Sequence, residues 1–568
     1  MDSNPDTLLD VLINRRDGTR FSKVGFACVC LFELANGMGI YALNNAVSLS
    51  GEYFGLSNYQ MRILFVFHFA NSYISPLLAA LFTDLKVGKY RTIFFTAAMR
   101  TFAATILLII AVTFSVSDKA TMHPTLKSAL FGIYVFALMF LFLSIEFFSS
   151  LLIPFGIQQV NQESGAAIAS AVRWLLWSYD VGVVVSTLAL GYLRSRYWES
   201  HILAETVASF IFSCLMISVF ILGKSQYNRC TPTEGRASFA TILNIFKTRL
   251  CCCRSRYESL NEPMTFSPDN SEQHVNHHQR IKMENLILRK LFLMIGFFAC
   301  IGVGEVIYFK MIFIKASGWP RDFGRHGFPL GYPTLVVYIP TIVCIPIYEC
   351  FSRRKRVTSP LTGVRKVIHF RTMGAGLFMA ALAILAAALL CHFKQMDPIT
   401  KSQSLWQVPI YIVLGMLTPL TYIKALEFCY TESFKGLVCV TTSLLTSLWM
   451  LLYSIITWTG VEWNQDSHHL EIIFYSLCGA MVVTIFFIFI PVSILYNRVK
   501  SEIDEATTIL YSRGYNTLTG STLLTGRFTA NEEKGERVPI DGSDHESEET
   551  MSVGRMSWDS ELGSDNDF

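Results

Sequence analysis

Apolar stretches long enough to cross a bilayer recur along this chain, and no other feature restricts its fold so sharply. They lie near residues 24–48, 62–83, 92–116, 128–154, 166–192 and 203–223. After a polar gap they resume near 288–314, 333–351, 373–393, 405–430, 437–459 and 470–496. Each is close to or above the ~20 residues that cross the hydrocarbon core as a helix. Lipid offers backbone polar groups no partner, so such segments close their hydrogen bonds internally, as helices. The pattern predicts an all-α membrane protein with about twelve transmembrane helices in two six-helix halves. Only 16% of the residues are charged, against roughly 25% in soluble domains. That places the chain in the membrane class.

Basic residues set the orientation. Arg15, Arg16 and Lys23 precede the first span, and Lys86, Lys89 and Arg91 join the second to the third. The central loop holds Lys247, Arg249, Arg254, Arg256, Arg289 and Lys290, and a further cluster from Arg353 to Arg371 follows the eighth span. With twelve spans these all share one side with both termini, so that side is cytoplasmic. Arg194, Arg196, Lys315 and Arg321 fall on the other side. The predicted organisation is a cytoplasmic N-terminus (1–23), an N-terminal six-helix half (24–223), a cytoplasmic central loop (224–286), a C-terminal half (287–498) and a disordered acidic tail (499–568). Two six-span halves joined by a long loop is the layout of the major facilitator fold, in which the halves rock about a midplane site.

The stretch 405–430, LWQVPIYIVLGMLTPLTYIKALEFCY, combines Pro409 and Pro419 with Lys424 and Glu427. Three residues apart, the two charges share roughly one helix face. A charge within a span is expensive and usually lines a solute or proton path. The bland alternative has Lys424 snorkelling to the interface and Glu427 neutral near the helix end. Elsewhere, Asp180, Glu146, Arg173, Glu305 and Lys310 also stand at or near span depth. Snorkelling is the expectation for Arg173 and Lys310.

Other signals are local. The 14 cysteines scatter through apolar segments except for Cys251–Cys253, which indicates reduced thiols. That run reads either as a palmitoylation site at the inner leaflet or as free thiols in a basic loop. His274, His277 and His278 lack ligand-spaced Cys or acidic partners, so no metal is expected. Tyr515–Leu518 fits a tyrosine-based pattern for sorting adaptors. The polar, acidic N-terminus suggests a signal anchor and not a cleaved signal peptide. No nucleophile–base pair or phosphate-cradling motif stands at useful spacing, and Gly302 and Gly304 read as helix packing. Neither an enzyme, a cofactor nor a nucleic-acid partner is therefore expected.

Trp406-Gln407-x-Pro409-x-Tyr411, then Gly415, then Leu426-Glu427-Phe428-x-Tyr430 resembles the tenth span of the proton-coupled oligopeptide transporter family. Ser75–Ala79 with Asp84, Gly88, Lys89 and Arg91 is similar to its second span and following loop, and Met373–Phe378 to its ninth. The resemblance covers most of residues 24–498. It implies secondary transport of di- or tripeptides, peptide-like or other small organic solutes by alternating access. Glu427 would then contact the solute, with Tyr41, Tyr73, Asp180 and Lys424 as further binding candidates and Asp84, Lys89 and Arg91 gating the cytoplasmic side.

Departures from the family pattern matter equally. The first span reads Glu33-Leu-Ala-Asn36-Gly37, where the family usually carries a second glutamate and an arginine. Ser149 stands in place of a fourth-span lysine, and Val343 in place of an eighth-span aspartate. Proton coupling is thus expected with a degraded motif, with Glu33, Glu146 and Glu305 as candidates. A cationic or neutral solute fits the retained Glu427 better than a zwitterion. A transport-inactive solute sensor or membrane scaffold of the same fold is the alternative. The membrane would be the plasma membrane or an endolysosomal one.

Overall fold

The computed structural model describes residues 22–54, 71, 74–116, 123–160, 165–196, 201–228, 233–251, 270–317, 332–358, 369–396, 408–434, 436–460 and 467–517. All described regular structure is helical. In chain order the helices are α1 (Lys23–Phe54), α2 (residues 74–82, ending in the π-turn Thr83–Val87), α3 (Lys89–Val116), α4 (Pro124–Ile157), α5 (Gly165–Arg196) and α6 (His201–Leu222). Then come α7 (Thr233–Cys251), α8 (Asn270–Ser317), α9 (Tyr332–Thr358) and α10 (His369–Met396). The eleventh, α11, runs as Val408–Gly415, the π-turn Thr418–Tyr422 and Ile423–Glu432; α12 is Val438–Gly460. The last, α13, joins Ser467–Val483, the π-turn Thr484–Phe489 and Ile490–Thr517. Residues 1–507 form one compact unit and 508–568 a second.

Among the described residues eight helices are long and apolar enough to cross a membrane, so the protein is an integral multi-pass membrane protein. Large apolar side chains such as Phe95, Ile109, Phe486 and Phe487 point outward, and polar ones turn inward. Many buried hydroxyls satisfy themselves on the preceding turn: Thr96 donates to the Thr92 carbonyl at 2.8 Å and Thr187 to Val183 at 2.7 Å. This is the usual way Ser and Thr sit inside an apolar helix. Local punctuation is legible too. Pro124 opens α4 where its missing N–H costs nothing, and the His123 imidazole accepts from the Thr125 N–H at 3.3 Å.

Packing defines two groups with a seam between them. On one side α1 packs against α5 and α6, and α3 against α4 and α6; on the other α10 packs against α13 and α8 against α12. The seam is made by α5 against α9 and α11, and by α4 against α12. At the end of α11, Glu432 accepts from the Tyr496 hydroxyl at 2.9 Å, pairs with Lys500 and lies 3.8 Å from Lys290. That cluster ties α8, α11 and α13 together.

Two expectations change at this level. The central segment 224–286 is not simply a loop: it contains α7, and α8 begins at Asn270, so His274, His277 and His278 sit on a helix. The last helix also runs to Thr517, past the boundary at 499 where a disordered tail was expected; its polar residues keep helical register with the apolar run before them. Residues 518–568 lie outside the described residues, as do Tyr73, Trp406, Gln407, Cys252 and Cys253.

Candidate functional site

The densest polar chemistry lies on the seam. Arg173, two turns into α5, is buried and forks between two carboxylates. Its Nε and Nη2 donate to Glu349 Oε2 on α9 at 3.0 and 2.7 Å, and its Nη1 donates to Glu427 Oε1 on α11 at 2.8 Å. Ser170, one turn earlier on α5, donates to the other Glu349 oxygen at 2.9 Å. Lys424 reaches Glu427 Oε2 at 2.6 Å. The Tyr348 ring lies under both cations, 5.1 Å from the Arg173 guanidinium and 5.0 Å from the Lys424 ammonium. Two cations and two anions make a neutral network, which is what a low-dielectric interior demands. Trp177 fastens the same seam by donating to the Ile342 carbonyl at 3.0 Å.

Local sequence shapes the α11 side. Pro419 cannot donate to the turn before it, and the helix loosens there into the π-turn Thr418–Tyr422. Such bulges frequently mark functional segments. The turn immediately precedes Lys424 and Glu427, so the two charges begin a fresh helical register.

A second buried cluster lies between α1, α3, α4 and α5. Asn36 donates to Glu33 Oε2 at 3.0 Å. Arg100, fully buried on α3, donates through Nη1 to the Asn36 side chain and through Nη2 to the Asn36 carbonyl at 3.3 Å. Its guanidinium also lies 6.0 Å from the Phe148 ring. Asp180 on α5 is buried and interacts with Glu33. The close approach of α1 and α5 explains the first-span sequence. A Cβ at Gly37 would overlap the Tyr179 carbonyl, and one at Gly182 would overlap that of Leu34. No arginine fits at position 37. Arg100, from the third helix, is the cation that lies near Glu33.

A third junction joins the two groups near their chain-entry loops. Asp84 accepts from the Val440 N–H at 3.1 Å, in the first turn of α12. A carboxylate there satisfies an orphan donor and complements the positive end of the helix dipole. Lys89 lies close enough to Asp84 to interact electrostatically, whereas Arg91 is exposed. The start of α7 wedges in beside them. Arg236 donates to the Leu85 carbonyl at 3.2 and 3.0 Å. At Gly235, a Cβ would stand 2.6 Å from the Asp84 carbonyl oxygen and 2.7 Å from that of Gly436.

The predicted residues therefore divide. Lys424 and Glu427 pair as their spacing implies. Asp180 groups with Glu33 and not with Glu427, and Glu146 is buried on α4 beside that cluster. Tyr41 and Glu305 lie on α1 and α8, but their side chains, like that of Lys310, are outside the described residues; Tyr73 is outside altogether. The expectation that Arg173 snorkels is wrong: it has two carboxylates within reach and no cause to leave. Glu349 and Arg100 escaped notice, although each is a charge within an apolar run, the same signal that singled out Glu427.

No protein-family model matches the chain. It is 20% identical over 496 residues to human solute carrier family 15 member 5, covering 81% of this chain and 83% of that one. It is 22% identical over 479 residues to the Arabidopsis thaliana protein NRT1/PTR family 8.3, covering 72% and 80%. Among solved structures, the POT family transporter PepTSo superposes with a TM-score of 0.54 at 14% identity, over 85% of this chain and 98% of that one. A bacterial homologue of the iron transporter ferroportin superposes with 0.55 at 9% identity, over 82% and 99%. The likeness to neighbours so different shows the fold alone.

Proposed function

We propose that this chain, a divergent homologue of the POT/PTR/NRT1 and solute carrier 15 transporters of the major facilitator superfamily, carries peptide-like zwitterions across a membrane by alternating access. Homology supports transport itself; the solute class rests on the Arg173 network. Opening the seam separates Arg173 and Ser170 on α5 from Glu349 on α9 and Glu427 on α11. Breaking a buried ion pair leaves uncompensated charge and costs roughly 3–5 kcal/mol. Glu427 keeps Lys424, three residues away on its own helix. Arg173 loses both carboxylates that it pairs with across the seam, and Glu349 loses the guanidinium. A solute with an amino group at one end and a carboxylate at the other replaces both lost partners, the amine on Glu349 or Glu427 and the carboxylate on Arg173. This reverses the expectation of a cationic or neutral solute, because the basic group absent from the fourth span is provided by the fifth.

In this reading α1–α6 and α8–α13 are the twelve spans, in two six-helix halves with both termini cytoplasmic, in the plasma or an endolysosomal membrane. Glu427 contacts the solute, with Tyr41 and Tyr73 as further candidates. The Asp84 junction, with Lys89 and Arg91, closes the cytoplasmic side together with the Arg173 network. Coupling to protons runs through the Glu33 cluster. The test is uptake of labelled dipeptides by the purified protein in liposomes, with and without a pH gradient. Glu427→Gln should abolish uptake while leaving a folded, monodisperse protein. Uptake indifferent to that change would sink the assignment, and retention of dipeptide without flux would favour a sensor.

A further inference from the structure

We propose that Asp180 is a proton-binding site, with Glu33 as its carboxyl neighbour. The geometry carries this. Asp180 is 5% exposed, and its Oδ2 has no hydrogen-bond partner among the described residues. Arg100 donates through Nη1 and Nη2 to Asn36, and Asn36 donates to Glu33, so that chain of bonds ends at Glu33 and not at Asp180. Asp180 thus lies close enough to Glu33 for the two carboxyls to repel, and the guanidinium hydrogen-bonds to neither.

A buried carboxylate without a partner is among the most expensive groups a protein can hold, and it takes the neutral form instead. A proton from water adds to Oδ2 and makes Asp180 a neutral acid. When the helices around it part and water enters, the same proton leaves to solvent. Other titratable groups surround it. From α1 the titratable groups are Glu33 and Cys30, the latter bonded to Ser178 on α5. Tyr179 adjoins it on α5, and Glu146 approaches from α4. The α6 side presents Met216 to Arg100 and holds its own buried carboxyl, Glu205, about three turns earlier.

The coupling role rests on the transport reading, but the site can be tested without it. Carbodiimides modify protonated carboxyls, so the full-length protein in liposomes is treated with a carbodiimide across a pH series and the Asp180 peptide followed by mass spectrometry. Modification that fades as pH rises, and is lost in Asp180→Asn but kept in Asp180→Glu, is expected. An Asp180 unmodified at every pH overturns the proposal, as does modification blocked by sodium and indifferent to pH. If the Asn variant fails to fold, the wild-type pH series decides alone. No solute enters the measurement: failed dipeptide uptake with a pH-dependent Asp180 sinks transport only, and pH-independent labelling with intact uptake sinks the proton site only.

Discussion

Two arginines decide how charge is managed inside this protein. Arg173 and Arg100 are each buried among carboxyls or their relays, one on the seam and one within the α1–α6 group. Single replacement of a buried partner leaves the other exposed to a dry interior, at roughly 3–5 kcal/mol. Arg173→Glu or Glu349→Arg alone should therefore lower the melting temperature by several degrees and stop dipeptide uptake. The double exchange should recover much of the stability, read by thermal unfolding in detergent; full additivity of the two losses would argue against direct pairing. Gly37 gives a sharper residue-scale test. Restoring the arginine usual at that position, Gly37→Arg, should unfold the protein instead of restoring coupling, because backbone occupies the space. Even Gly37→Ala should cost about 1–3 kcal/mol in the same assay. The sequence shows that the arginine is missing and says nothing of why; the reason is a helix crossing.

Among the elements, α7 was the least expected. It sits in the polar gap between the two groups of spans, and its first turn touches both the π-turn that ends α2 and the turn before α12. It is too polar to read as a span, and its position takes its meaning from Asp84 and Gly436 on either side. Removing the Asp84 cap should cost about 1–2 kcal/mol and loosen this junction. Cys439, fully buried beside Asp84, reports on it: maleimide labelling of the Cys439 peptide should rise in Asp84→Ala and in Gly235→Val, and labelling unchanged in both would mean the junction does not hold the groups together. The α11 π-turn belongs to the same scale. Pro409 and Pro419 made a weakened helix legible, and the structure placed the break directly before the paired charges.

At the scale of the whole molecule, the described polar contacts between the two groups concentrate where Arg173 and Asp84 lie. Weakening them should shift the balance between closed and open seams. A loss of ~2–3 kcal/mol moves a two-state equilibrium by roughly 30- to 150-fold. Spin labels on α5 and α9 near the seam should report a short distance in the wild type and a longer one in Arg173→Gln; an unchanged distribution would show that the network is not what holds the seam. The hydropathy of the chain alone determined that it is a helical membrane protein, because a continuous apolar run of ~20 residues is a helix's length, whereas a barrel strand is about half as long and alternates. A local helical spacing was enough to pair Lys424 with Glu427. Which distant charges meet was decided only in three dimensions. Arg173 lies 254 residues from Glu427 and Arg100 lies 64 from Asn36, and pairing across such separations is set by how helices pack, which no periodicity along one helix records.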